Sequence, residues 1–191
     1  MVRKHDNVSA DINDPFTEEP FFRIFQLNHE SLSASAHRMR FLINDEFFSY
    51  LPFSPIKHAN VLVKVEAEKQ KTNIMLKIKM EGWVEVPCDR CSENFKYPVE
   101  FERRLLIKLT DKVSAIERDE ELMLVPHWMH TIPLARDFYD LIILSLPMKI
   151  VHPEGECNPE TLRILSRYSA REEAEGDPRW EALSSLIKDD S

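Results

Sequence analysis

Three cysteines and one histidine are the residues of this chain best suited to chemistry. Cys88-Asp89-Arg90-Cys91 is a CxxC placed directly after an alternating, strand-like run. Cys157 lies far downstream, five residues after His152. Two thiolates at CxxC spacing suit one tetrahedral Zn²⁺, and His152 with Cys157 could close the site. The same residues also admit a redox pair with a bystander thiol, or reduced thiols with no ligand at all. A redox cysteine needs a lowered pKa, usually from a helix N-terminus. Cys88 follows a strand instead, and Arg90 is the nearest cation in sequence. The usual zinc knuckle has a glycine after its second cysteine, whereas Ser92 stands there in this chain.

The rest of the sequence narrows the function classes. There are only three glycines, at 82, 155 and 176, so a glycine-rich phosphate-cradling loop is excluded. No GxSxG occurs and no pair of acids stands out from the charged background, which predicts a non-enzymatic protein without an evident small-molecule substrate. No apolar run is long enough for a membrane helix, and the N-terminus lacks the apolar stretch of a secretion signal. A cytoplasmic chain with reduced thiols is therefore expected.

The net charge of −8 argues against coating nucleic acid with the whole surface. The charge is uneven, however. Between Lys57 and Lys79 six lysines face two glutamates, while from Glu154 onward ten acids face five bases. Lys64, Lys69, Lys71, Lys77 and Lys79 thus form a candidate phosphate-binding hairpin, with a solvated sheet face as the plainer alternative.

These residues must be carried by a scaffold, and the periodicity describes one. Residues 1–20 are polar and acidic and read as a flexible arm. Residues 21–168 read as a single α+β domain, followed by an acidic linker and a C-terminal amphipathic helix over 169–191. Phe21 to Leu27 and Ser31 to Ile43 look extended, and Asp45 is expected to cap a short helix. Val61, Val63 and Val65 alternate with polar neighbours, and Lys69 to Asn73 forms a turn. Ile74, Leu76, Ile78 and Met80 then return on one face. Phe95, Tyr97, Val99, Phe101, Leu105, Ile107 and Leu109 share one parity in a long strand, so the CxxC falls in a strand-to-strand connection. One more short strand is expected over Glu121 to Pro126. Leu134 to Leu146 reads as a buried helix apolar nearly all round. Asn158-Pro159-Glu160 opens another helix. The fold predicted is α+β, a twisted antiparallel β-sheet that could curl toward a barrel, with C-terminal helices packed on it.

The stretch Val86-Pro87-Cys88-Asp89-Arg90-Cys91, with Phe95 and Tyr97, resembles the central motif of the YceD-like proteins. This is the large ribosomal RNA subunit accumulation family, also called domain of unknown function 177. Three further segments follow in the family's order: Leu141 to Pro147, Val151-His152-Pro153 before Cys157, and Asp177-Pro178-Arg179-Trp180 with Leu183 and Leu186. The resemblance spans roughly residues 20–188. It implies a ribosome-assembly factor supporting accumulation of large-subunit (23S) ribosomal RNA. Its partner would be the ribosomal RNA precursor, a large-subunit ribosomal protein, or both. The lysine hairpin, Arg90, and Arg179 with Trp180 are the candidate contact residues, and Cys88, Cys91, His152 and Cys157 the candidate zinc ligands.

Overall fold

A computed structural model describes residues 14–33, 36–119 and 121–169. Arg179 and Trp180 lie outside the described residues, as does 170–191 of the linker and terminal helix expected over 169–191. The chain forms two compact units. One comprises the chain up to Val86 together with Phe95–Met148, the other Pro87–Asn94 together with the chain from Lys149 onward.

The first unit is built on a six-stranded sheet. In chain order its strands are β2 (His37–Asn44), β3 (Ala59–Gln70), β4 (Asn73–Pro87), β5 (Asn94–Thr110), β6 (Glu117–Arg118) and β7 (Leu122–Pro126). Their spatial order is β2-β3-β4-β5-β7-β6. The first four form an antiparallel meander, as the alternation predicts. Val63 on β3 is flanked by Phe41 on β2 and Met80 on β4, and Val65 by Met39 and Ile78. Val61, Val63, Val65, Ile74, Leu76, Ile78 and Met80 are all buried on one face, each contributing roughly 1.5–3 kcal/mol through removal from water.

Three expectations are revised. The sheet does not curl into a barrel: it is open, ending at β2 on one side and β6 on the other. The strand expected over 121–126 pairs with β5 in parallel, Leu106 opposite Leu122 and Thr110 opposite Pro126. A parallel neighbour needs a long connection, and the acidic 111–121 segment supplies it. Phe21 to Leu27 is not one extended run. Pro20–Ile24 makes a 3-10 turn before the short strand β1 (Gln26–Asn28). Pro20 fixes φ at the turn's first position, and a three-residue turn brings Phe22 and Phe25 to the same side. Both pack edge-on to Phe47, with centroids 5.1 Å away.

The helices cover this aromatic end. α1 (Pro15–Glu18) precedes the 3-10 turn, and α2 (Asp45–Ser49) follows β2. The cap of α2 falls one residue earlier than expected, on Asn44, whose Oδ1 accepts from the Phe47 N–H at 3.4 Å. Asp45 turns instead to β3, accepting from the Ala59 N–H at 2.8 Å and lying 2.9 Å from His58 Nδ1. β8 (Thr131–Pro133) pairs with β1 and leads into α3 (Ala135–Ser145). Phe138 of α3 meets Phe41 of β2 at 5.3 Å. The helix is one-sided rather than apolar all round in its packing: Phe138, Leu141 and Ile142 are buried, whereas Leu144 is 68% exposed.

The outer face of the meander carries Lys64, Lys77 and Lys79, whereas Lys69 shares the parity of Val61 to Ala67, and the register decides what these lysines can do. Lys64 lies directly opposite Lys79, a like-charge pair that would repel. Glu81 resolves it by binding both: Lys64 Nζ is 2.6 Å from one carboxylate oxygen, and Lys79 holds the other. Lys77 pairs with Glu102 at 3.2 Å. Lys69 donates to the His29 carbonyl at 2.7 Å, and Lys71 sits in the two-residue hairpin turn with φ of 53°. Hydrogen bonds from Lys64 and Lys79 hold the Glu81 carboxyl down at about 2. A depressed acid stabilises the fold above its unfolded value, 4.5, and loses that contribution as pH falls through the folded one. The melting difference between wild type and Glu81→Gln should therefore be constant above pH 5 and vanish toward pH 2. It should also shrink with salt, since these groups are partly exposed. A difference unchanged at pH 2 would mean that Glu81 acts by packing alone.

Candidate metal centre

The second unit contains the knuckle between β4 and β5, the segment from Lys149, and helix α4 (Pro159–Ser169). Its turn is closed by backbone bonds around one residue. The Cys88 N–H donates to the Glu93 carbonyl at 2.9 Å, and the Cys88 carbonyl accepts from the Ser92 N–H at 2.8 Å. Ser92, standing where a glycine is customary, adopts φ of 62°. Only glycine takes that conformation without cost, and serine there is strained by about 1 kcal/mol or more. The knuckle geometry is thus kept without its usual residue.

Two side chains tie this knuckle to the downstream segment. The Asp89 N–H donates to the Ile150 carbonyl at 2.7 Å, and Asp89 Oδ2 accepts from the Ile150 N–H at 2.6 Å. Glu93 Oε1 accepts from Asn158 Nδ2 at 2.6 Å. Asn158 Oδ1 in turn caps α4, accepting from the N–H groups of Glu160 at 2.9 Å and Thr161 at 3.3 Å. The sequence reading overlooked Asp89 and Glu93. Their only sequence signal is a polar residue within or just after the CxxC.

This clamp brings all four candidate ligands together. The Sγ atoms of Cys88, Cys91 and Cys157 and a ring nitrogen of His152 lie within 4.8 Å of one another. Cys88 Sγ is 3.9 Å from Cys157 Sγ, and His152 Nδ1 is 3.4 Å from Cys91 Sγ and 3.8 Å from Cys157 Sγ. A tetrahedral zinc with Zn–S near 2.3 Å and Zn–N near 2.0 Å requires ligand–ligand edges of about 3.5–3.8 Å. The donor set could therefore hold a metal with little rearrangement. The three cysteines are buried, and His152 is half-buried.

The electrostatics around the thiols differ. Burial alone would raise the Cys88 thiol. The backbone N–H groups of Cys91, His152 and Arg90, with the His152 ring, outweigh it and bring the thiol down to about 5. The Arg90 N–H points at Cys88 Sγ from 3.4 Å. Burial raises the Cys157 thiol, and its neighbours Cys88 and Cys91 raise it further. The missing helix N-terminus is thus replaced at Cys88 by a nest of turn amides, which stabilise a thiolate in the same way.

The other candidate contact residues are spread over both units. Arg90 is exposed on the knuckle, while the five lysines lie on β3, β4 and their turn. No helix among the described residues is long and apolar enough to cross a membrane. Over residues 76–187 the chain matches the family model described as large ribosomal RNA subunit accumulation protein YceD. No curated protein and no solved structure matches it.

Proposed function

The chain belongs to the YceD family of large ribosomal RNA subunit accumulation proteins, and on that premise we propose that it is a non-enzymatic, cytoplasmic ribosome-assembly factor. It acts by binding the large-subunit ribosomal RNA precursor or a large-subunit ribosomal protein. Its Cys88–Cys91–His152–Cys157 cluster holds one structural zinc. The observation that carries the zinc reading is the four ligand atoms within 4.8 Å. Four protein ligands fill a tetrahedral site and leave no open position for a substrate, which is the pattern of structural rather than catalytic zinc. Zinc there would cross-link the knuckle to the segment that begins α4, adding to the Asp89 and Glu93 clamps.

A second reading, thiol–disulfide chemistry, has one observation in its favour: the 3.9 Å separation of Cys88 and Cys157 Sγ. A two-thiol couple gives no role to His152 Nδ1, 3.4 Å from Cys91 Sγ. The zinc reading uses all four groups.

The test of the role is genetic complementation. Deleting the gene should lower the ratio of large- to small-subunit ribosomal RNA, and the wild-type chain should restore it. A Cys88→Ser, Cys91→Ser chain should fail to do so. An unchanged ratio after deletion would remove the assembly role, and full rescue by the cysteine variant would make the metal centre dispensable to it. Affinity capture from lysate with and without ribonuclease then separates an RNA partner from a ribosomal protein.

A further inference from the structure

Helix α4 is poorly accounted for by its own packing. It is eleven residues long, a length at which an isolated helix is marginal in water and depends on burying a face. Yet none of its side chains from Pro159 to Tyr168 is buried. Ile164 is 47% exposed and Tyr168 67%. Arg163, Ile164, Arg167 and Tyr168 fall on one face by helical spacing.

The cations on that face differ from those paired on the sheet and beside α3, and share their condition with exposed Arg23, Arg40 and Arg104. Lys64, Lys77 and Lys79 on the sheet, Arg118 beside α3 and Arg136 on it all have carboxylate partners. Arg163 and Arg167 are exposed, and among the described residues neither has a carboxylate within ion-pair distance. Arg90 and Lys149 of the same unit are exposed in the same condition. Of the nearby acids, Asp89 is engaged with the Ile150 N–H and Glu93 with Asn158, while Glu154, Glu156 and Glu160 are exposed. Two arginines without a carboxylate partner among the described residues thus lie beside an exposed aromatic ring, in a chain of net charge −8.

We propose that this face of α4 is a single-stranded RNA-binding surface, with Arg163 and Arg167 on backbone phosphates and Tyr168 stacked on an unpaired base. The inference rests on the ribosome-assembly reading and names the surface through which it acts. A planar guanidinium matches phosphate with two parallel hydrogen bonds, and an exposed tyrosine offers the stacking plane that unpaired bases use. A basic ribosomal protein is disfavoured at this spot because Arg163 and Arg167 would repel it.

The full-length protein is titrated against a fluorescent single-stranded oligouridine RNA across a series of salt concentrations. Arg163→Gln with Arg167→Gln should weaken binding about tenfold or more and reduce the slope of log K against log salt by about 1.4, the share of two single-strand phosphates. Tyr168→Ala should weaken binding about tenfold by loss of stacking while leaving the slope unchanged. Arg163→Lys with Arg167→Lys should restore the slope. Lys64→Gln with Lys79→Gln, on the internally paired sheet face, should bind as wild type.

Absence of oligouridine binding by the wild-type chain would overturn the proposal, as would binding unaffected by the arginine and tyrosine changes. A large-subunit ribosomal protein captured equally by wild type and the double-glutamine variant, with no effect on RNA, would overturn the surface while leaving the assembly role standing. Intact oligouridine binding with no change in ribosomal RNA on gene deletion would uphold the surface and overturn the role.

Discussion

Protein purified without chelator is expected to carry about one zinc per chain, and Cys88→Ser to lose it. Among the described residues of the second unit, 87–94 and 149–168, only Cys88, Cys91 and Cys157 are buried. A module that buries so little apolar surface seldom holds itself together without a disulfide, a metal or a partner. Here the three cysteines are unbridged, and α4 buries no side chain from Pro159 to Tyr168. Zinc in comparable small modules supplies a binding free energy on the order of 10 kcal/mol that is in effect folding free energy. Chelation should therefore raise amide hydrogen exchange in 87–94 and 149–169 while the central strands β3 and β4 keep their protection. His152→Ala should weaken zinc binding without abolishing it, because three thiolates persist. Zinc should also slow alkylation of all three cysteines, which a thiol–disulfide couple would not require. Less than about 0.2 equivalents of zinc after reconstitution would sink the structural-metal reading.

How much of this site could be read beforehand follows from which signals are local. The CxxC is visible because its two ligands sit on one turn, and the parity of β3, β4 and β5 places that turn between strands. His152 and Cys157 are distant in sequence, and what joins them to the knuckle is the backbone bond from Asp89 to Ile150 together with the Asp89 and Glu93 side chains. Backbone bonds leave no pattern in residue type. The parallel β5–β7 pairing was hidden for a similar reason, since alternation shows which residues are buried but not which way a strand runs. The lysine hairpin shows the reverse error. The positive excess between Lys57 and Lys79 ends two residues short of Glu81, and Glu102 lies on the next strand. Cross-strand register, not composition, sets the field at that face. The arginines of α4 carry no signal in the sequence because ten acids surround them there, although the structure leaves both without a carboxylate partner among the described residues.

Gly82→Ala is expected to destabilise the sheet by about 3 kcal/mol or more, lowering the melting temperature by roughly 6–12 °C for a chain of this size. Gly82 sits inside β4 opposite Val61, not at a strand end. A Cβ there would lie 2.0 Å from the Asn60 carbonyl oxygen, 2.7 Å from Val61 Cα and 2.9 Å from the Asn60 carbonyl carbon. All three atoms are backbone of β3, so no rotamer change relieves the clash. Either the strands separate, breaking ladder bonds beside the buried Val61 and Val84, or β4 shifts. A glycine inside a strand commonly marks such a close approach. Gly155 provides the contrast: its φ is +87°, yet an added Cβ meets nothing within 4 Å. Gly155→Ala should cost only the conformational strain, about 1 kcal/mol. If the two alanine variants melt alike, conformational preference and not strand contact is what glycine supplies at position 82. A much larger loss at 82 means that β4 passes β3 too closely for any side chain. The strand that carries the knuckle to its place would then depend on that one glycine.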